Sequence, residues 1–426
     1  MAVGTIRTEV NEPEPMQEPT GPFFNFGGHV DLLLVMTMVL FVVFGLIMLW
    51  SASYDYSYNE YKDAYYQIFR QIIWVGLGTG LAVGLSAMDY HRLPKYALIL
   101  MGVTIVMLIA VQIVGDTRNN ADRTLFSGSI QPSELAKITI IVYLSAWLNS
   151  RRDMLHDLTW GIIPFGVIIG TLVILILMQP DTSAAVSVGI LGMLLFFLGG
   201  SDIKQFLLLL VAASIGGYFI LTVFSSTGAS RMHDFWAGLL NPVNSADHVI
   251  YAFEAVSNGG WFGVGLGNSL SKYTVLPFAS TDSIFAVITE ELGLLGSALT
   301  VSLYAFLGWR GFKVARRAPD MLGSLLAAGI TTWIVFEASI NMLSLVGWFP
   351  FAGNALPFIS YGGSSIVTCF AGIGILLSVS RYSNDLPEAE PQEWRGFRAT
   401  FDLRGRDRRR RISRVGRSQR PDQQSF

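Results

Sequence analysis

Long apolar stretches recur along this chain with polar breaks between them, and their length decides how they are read. The first, DLLLVMTMVLFVVFGLIMLW over 31–50, is too long for the apolar core of a signal peptide and has no small-residue cleavage site after it. A run of about 20 apolar residues is what a helix needs to cross a bilayer. Further runs of this kind occupy 68–87, 96–114, 131–148, 159–178, 183–199, 205–224, 283–307, 323–346 and 364–380. Period-2 alternation is not evident, which argues against a membrane β-barrel. The pattern therefore predicts an all-α polytopic membrane protein of about ten transmembrane helices. The Tyr-rich stretch 52–66 reads as a loop at the membrane interface, where aromatic residues collect.

Composition agrees with the pattern. Of 426 residues, 52% are hydrophobic and only 14% charged, where a soluble domain carries about a quarter. The charges fall unevenly. Arg92 and Lys95, Arg151 and Arg152, Lys204, and Arg310 to Arg317 lie in alternate connections, whereas the opposite ones mix signs, as in Asp55, Glu60, Lys62 and Asp63. The positive side is cytoplasmic, so both termini are expected there. Residues 1–27, rich in Pro, Glu and Thr, read as a disordered arm, 28–382 as the membrane domain, and 383–426 as a basic disordered tail. That tail suits topology and anionic lipid, and it lacks the aromatic-basic pattern expected of a nucleic-acid binder. The longest external loop is then 225–281, between helices 7 and 8.

With no soluble domain in view, any active site has to be built from helix ends and external loops. Four polar clusters lie at the outer side. In QPSELAK, 131–137, Glu134 and Lys137 share a helix face. They form either a self-neutralising pair or a site where Lys137 meets an anionic headgroup. In QPDTSAA, 179–185, Asp181 suits the cap of the next helix. The stretch 265–297 carries Lys272, then Asp282 at a helix entry, then Glu290 about 12 Å further along that helix and Glu291 beside it. Asp282 is an N-cap or a general base, and Glu290 and Glu291 are expected deeper, as supports. In LPFISYGGSS, 356–365, Ser360, Gly362, Gly363 and Ser364 make either a close-packed turn or a lining of backbone N–H and hydroxyl groups for a headgroup. A P-loop, a GxSxG elbow and an HExxH motif are all missing, which sets aside nucleotide-driven and zinc chemistry. Cys369, the one cysteine, sits in an apolar run as a packing residue.

These clusters, in this order, resemble the shape, elongation, division and sporulation (SEDS) family, the FtsW/RodA group of bacterial cell-wall proteins. The match rests on QPSELAK, QPD at 179–181, GVGLGNSLSKYTVLP at 263–277, TDSIFAVITEELGLLG at 281–296 and LPFISYGGSS, with SAS at 51–53 and Arg70-Gln71. The resemblance covers about 30–382. It implies a multi-pass protein of the bacterial cytoplasmic membrane that polymerises lipid II into glycan strands at the outer face, for division or elongation. The implied partners are lipid II, a class B penicillin-binding transpeptidase and other divisome or elongasome proteins. It places the family's essential aspartate on Asp282 and its fourth-helix pair on Glu134 and Lys137.

The departures lie close to that aspartate. The family's LPEAHTDF is LPFASTDS here, so Phe278, Ser280 and Ser283 replace Glu, His and Phe. The stretch NNADRTLF at 119–126 lacks a Trp and one Arg of the family pattern. Lys137, Arg123 and Lys272 are the candidate cations for a departing pyrophosphate, with a divalent cation (Mg or Mn) as the alternative. A lipid II flippase and a non-catalytic divisome scaffold are the competing functions.

Overall fold

A computed structural model describes residues 30–384, apart from 115, 119–120, 125–130, 153–154, 156, 158–160, 180, 224–225, 242–244, 275, 277 and 352. The acidic arm 1–27 and nearly all of the basic tail lie outside the described residues. Each of the ten apolar stretches forms a helix: α1 (Leu32–Tyr61), α2 (Tyr66–Ala87), α3 (Leu93–Val114), α4 (Pro132–Ser150), α5 (Ile163–Leu177), α6 (Thr182–Leu198) and α7 (Ile203–Val223) in the first part of the chain. The second part adds α8 (Ser226–Leu240), α9 (Asp247–Gly259), the single turn α10 (Ser271–Thr274), α11 (Ile284–Arg317), α12 (Met321–Leu345) and α13 (Gly363–Asn384). Short strands β1 (Asp116–Arg118) and β2 (Ala121–Thr124) pair antiparallel before α4.

Sequence and structure differ first at 52–66. That stretch is not a loop: α1 continues helical to Tyr61, and only Lys62 turns left-handed to end it. Its tyrosines favour the continuation by packing on one another, Tyr61 stacking on Tyr66 at 4.0 Å across the turn. Asp31 starts the helix, its carboxylate accepting from the N–H groups of Leu33 and Leu34 at 3.1 and 3.2 Å. The same carboxylate pairs with Arg310 of α11, so the start of α1 is tied to the later part of α11. Asp320 caps α12 and also meets Tyr90 and His91.

The outer faces of α1, α2 and α3 expose large apolar residues such as Val39, Phe69, Ile73 and Ile99, as a lipid-facing surface should. The inside is different. Helix α4 is buried along nearly its whole length, between α3, α6, α12 and α13. Its Glu134, Lys137, Thr139 and Ser145 therefore face protein and not lipid.

The eighth span departs most from expectation. Gly293 interrupts α11 with φ +67° and ψ −162°. The chain doubles back there, because Thr289 and Ser297, about 12 Å apart on a straight helix, share a hydrogen bond of 2.7 Å. Residues 294–317 are long enough to span a bilayer, and 284–292 is a separate half-helix that runs back along them. Asp282, at its start, therefore lies nearer the Arg317 end of α11 than Glu290 and Glu291 do, the reverse of the order expected from a continuous helix.

A helix broken at this depth exposes carbonyls that need partners. Val264 and Gly265 donate to the carbonyls of Glu290 and Glu291 at 3.0 Å each, and Leu294 donates to Gly260 at 2.9 Å. A Cβ on Gly293 would meet Gly263 N at 2.4 Å, so the fold-back requires glycine for contact as well as for φ. Gly293→Ala should therefore lower stability by about 1–3 kcal/mol, read as a fall in the unfolding midpoint of the detergent-solubilised protein. An unchanged midpoint would remove the fold-back as a constraint.

Candidate active site at the outer helix ends

Asp282 sits in the turn that leads into the half-helix, and two segments, the 360–361 turn and α12, hold the backbone of that turn. The Ser280 carbonyl accepts from Tyr361 N at 2.8 Å, the Thr281 carbonyl from Ser360 Oγ at 2.6 Å, and the Asp282 carbonyl from Asn341 Nδ2 at 2.8 Å. Gln71 in turn brackets the 360–362 turn, donating to the Ser360 carbonyl at 3.2 Å and accepting from Gly362 N at 3.3 Å. With its main chain clamped, the half-buried carboxylate has a fixed direction.

That direction is toward Gly353. A Cβ on this glycine, whose φ is +60°, would lie 3.3 Å from Asp282 Oδ2, 3.6 Å from Arg231 Nη2 and 3.9 Å from the Phe351 ring. A carboxylate, a guanidinium and an aromatic face thus converge on one point that a larger residue would fill. Arg231, from α8, lies over Phe351 at 5.8 Å, and His248, from α9, stacks face to face on the same ring at 4.2 Å. Burial and then the Arg231 charge hold the His248 pKa below its ordinary 6.5. Reading the sequence missed Arg231, His248 and Asn341. The first two lie in the long external loop with no motif around them, and Asn341 lies inside an apolar span; only the fold brings them to Asp282.

The expected substrate-binding residues mostly face inward. Lys137 is 5% exposed and donates to Glu134 at 2.7 Å and also to Glu337 of α12. Glu134 and Lys137 thus pair with each other, with the Glu337 carboxylate added, and the Lys137 ammonium is buried among them. Glu337 is one turn below Asn341 on α12, so the same helix bears both the triad and the clamp on Asp282. Lys272 is also turned in. It pairs with Glu291 at 2.8 Å and donates to the Ser51 carbonyl and the Gly267 carbonyl at 3.0 Å each. Ser51, from the SAS motif, bonds both Glu291 oxygens at 2.7 and 2.6 Å.

Glu290 accepts from Ser271 N and Oγ at 3.4 and 3.1 Å, and from Ser269 Oγ. Both glutamates thus anchor the Gly-rich 263–273 loop. Asp181 caps α6 through Ala184 N at 3.2 Å and joins the QPD and QPS motifs by accepting from Gln131 and Ser133 at 2.9 and 2.8 Å. Gly363 lies against Trp74, and Ser364 Oγ accepts from Gln131 N at 3.3 Å. The 356–365 stretch is therefore a close-packed turn that positions Asp282, and its hydroxyls are spent on protein. The side chain of Arg123 lies outside the described residues.

Among the described residues, no three His, Cys, Asp or Glu side chains gather as a metal site would require. A hard divalent cation takes several oxygen ligands, and Asp282 instead has a guanidinium facing the same point. The residues there do not fit Mg or Mn.

The sequence model of the FtsW/RodA/SpoVE family, described as cell cycle protein, matches residues 31–385. This chain belongs to that family. It is 34% identical over 358 residues to stage V sporulation protein E of Bacillus subtilis, covering 83% of this chain and 97% of that one. It is 33% identical over 361 residues to a probable peptidoglycan glycosyltransferase FtsW of Geobacter metallireducens, covering 84% and 96%.

Two solved structures share the fold. One is a peptidoglycan synthase complex described as coordinating polymerization and crosslinking, with a TM-score of 0.68 at 25% identity, covering 84% of this chain and 99% of that one. The other is the rod shape determining protein RodA of Thermus thermophilus, with a TM-score of 0.62 at 25% identity, covering 84% and 98%. Family membership and the apolar helices together make this a multi-pass membrane protein.

Two consequences can be measured. Lys137→Met leaves Glu134 and Glu337 buried without their cation, a loss of about 3–5 kcal/mol. The variant should unfold well before wild type, and Lys137→Met/Glu337→Gln should recover part of the difference; equal midpoints for all three would show the triad to be neutral. The second concerns pH. Because the folded pKa of His248 is lowered, its contribution to stability is complete above 6.5 and is lost as pH falls. Amide protection factors across 245–256, referred to the intrinsic exchange rate at each pH, should therefore fall from pH 7.5 to 5.5 in wild type and not in His248→Phe. A flat wild-type response would contradict the assignment.

Proposed function

We propose that this protein is a peptidoglycan glycosyltransferase of the bacterial cytoplasmic membrane, polymerising lipid II at the outer face with Asp282 as general base. The reading is supported above all by one observation: a carboxylate with a clamped backbone and a guanidinium converge at the outer helix ends. Relatives bearing the glycosyltransferase name support the reaction class.

In the reaction, the C4 hydroxyl oxygen of an acceptor sugar forms a bond to C1 of the donor glycan. The bond from C1 to the pyrophosphate oxygen breaks, the lipid pyrophosphate leaves with that electron pair, and the hydroxyl proton passes to Asp282. A sugar hydroxyl is a weak nucleophile at neutral pH, and a positioned base contributes about 10²–10⁴-fold. The leaving group is anionic, so a cation aimed at it lowers the barrier. Arg231, whose guanidinium faces the same point as Asp282, takes that role. A turn held by the 360–361 turn and by α12 keeps the base aligned without reorganisation.

The partner is a class B penicillin-binding transpeptidase, a reading supported by likeness to a complex that couples polymerization with crosslinking. The FtsW and SpoVE names of the sequence relatives favour a division-type role over elongation.

Asp282→Asn should fold, with a melting curve like that of wild type, yet form no glycan from lipid II when purified with its transpeptidase partner and analysed by gel. Polymerisation at the wild-type rate would remove Asp282 as the base.

A further inference from the structure

Among the described residues, three that are not glycine have a positive φ: Lys62, Phe278 and Phe358. Lys62 has the ordinary reason, since it ends α1 as a left-handed cap. The two phenylalanines share a setting. Each is the third residue of a Leu-Pro-Phe run, 276–278 and 356–358. The turns that follow lie against each other, with Tyr361 N on the Ser280 carbonyl at 2.8 Å and Ser360 Oγ on the Thr281 carbonyl at 2.6 Å. A left-handed backbone is unfavourable for a bulky side chain, so each ring calls for a compensating contact. Phe358 has one: it is 3% exposed and packs on Phe41 and Phe370 at 5.5 and 5.8 Å, so burial offsets its strain. Phe278, at φ +55°, is 52% exposed, and its ring neighbour His248 lies 6.3 Å away. Strain that burial does not offset, kept beside a candidate base, points to a ligand for the ring.

We propose that Phe278 is a stacking platform for one sugar ring of the glycan, the ring adjoining the one that reacts at Asp282. The proposal rests on the glycosyltransferase reading above. The C–H groups on one face of a pyranose carry slight positive charge and stack on the negative face of an aromatic ring. The platform is tied to the base through the backbone: Thr281 N and Ser283 N, on either side of Asp282, donate to the Phe278 carbonyl at 3.0 and 3.3 Å. Phe278, His248 and Phe351 lie roughly parallel, with centroids 6.3 and 4.2 Å apart in turn. The Phe351 end of that stack reaches the point at Gly353 toward which Asp282 Oδ2 is directed. Two ring spacings thus separate the platform from that point, which is why the sugar on Phe278 is a neighbour of the reacting one. Phe278 holds the polymer in place while Asp282 takes the proton.

The test uses the full chain purified with its transpeptidase partner, lipid II as substrate, and steady-state kinetics beside melting curves. Phe278→Gly keeps the left-handed backbone and removes the ring. It should melt no lower than wild type and raise the KM for lipid II about tenfold, with kcat within about twofold. Phe278→Leu, apolar but not aromatic, should show the same raised KM, and Phe278→Tyr should recover most of the loss. A Phe278→Leu variant with wild-type KM overturns the proposal, since it would assign the side chain to a lipid chain. An unmoved KM in Phe278→Gly overturns it outright. So does a Phe278→Gly midpoint well below wild type, which would make the ring a packing group, or loss of the transpeptidase from the purified complex, which would make it a partner contact. None of these outcomes bears on the base, because the glycosyltransferase reading stands or falls with Asp282→Asn in the same assay.

Discussion

No peptide group can be left unpaired in the hydrocarbon of a bilayer, and this protein builds its site around the place where that rule is hardest to satisfy. The eighth span doubles back at Gly293, which would strand the carbonyls of Glu290 and Glu291. The N–H groups of Val264 and Gly265 meet them. The Gly-rich loop is thus a second strand of backbone laid against a broken helix, and not a flexible flap. Because the half-helix 284–292 rises from its start, the break leaves Asp282 at the lower end, recessed below the glutamates. A continuous helix would have carried the carboxylates in the opposite order.

Charge burial fixes the surroundings. Ionisable groups at this depth persist only when paired, and two separate networks do the pairing. Lys272, Glu291 and Ser51 tie the loop to α1. Lys137, Glu134 and Glu337 tie α4 to α12. A turn further along α12, Asn341 holds the Asp282 carbonyl and that of Asn354, so the triad's helix also sets the position of the base. Lys137 and Lys272 are thus paired within the framework, and a guanidinium from α8 faces the same point as Asp282.

The external region 225–281 has its own structure. Helices α8 and α9 bring Arg231 and His248 to the two sides of Phe351, which makes that ring the centre of a small aromatic and cationic stack. The departures from the family motif lie here. Phe278, with φ +55°, lies roughly parallel to the His248 ring at 6.3 Å. It joins the stack where the family pattern has a carboxylate.

How much of this was readable in advance depends on the range of the interaction concerned. Apolar run length is a local property, so the ten helical stretches could be read directly, and motif order singled out Asp282. Capping is also local, which is why Asp181 could be assigned to the start of α6. The continuation of α1 to Tyr61 was hidden because its stabilising contacts come from tyrosines across the turn. The fold-back at Gly293 was hidden because one glycine in an apolar helix reads as tolerated; its positive φ becomes visible only with the 259–265 loop packed on it. Whether Lys137 and Lys272 met solvent or carboxylates depended on Glu337 and Ser51, which are remote in sequence. The chain by itself determined which apolar segments form helices and which aspartate the family motif singles out. Tertiary packing alone decided which charges were consumed in holding that aspartate, because desolvation and pairing depend on neighbours that only the fold supplies.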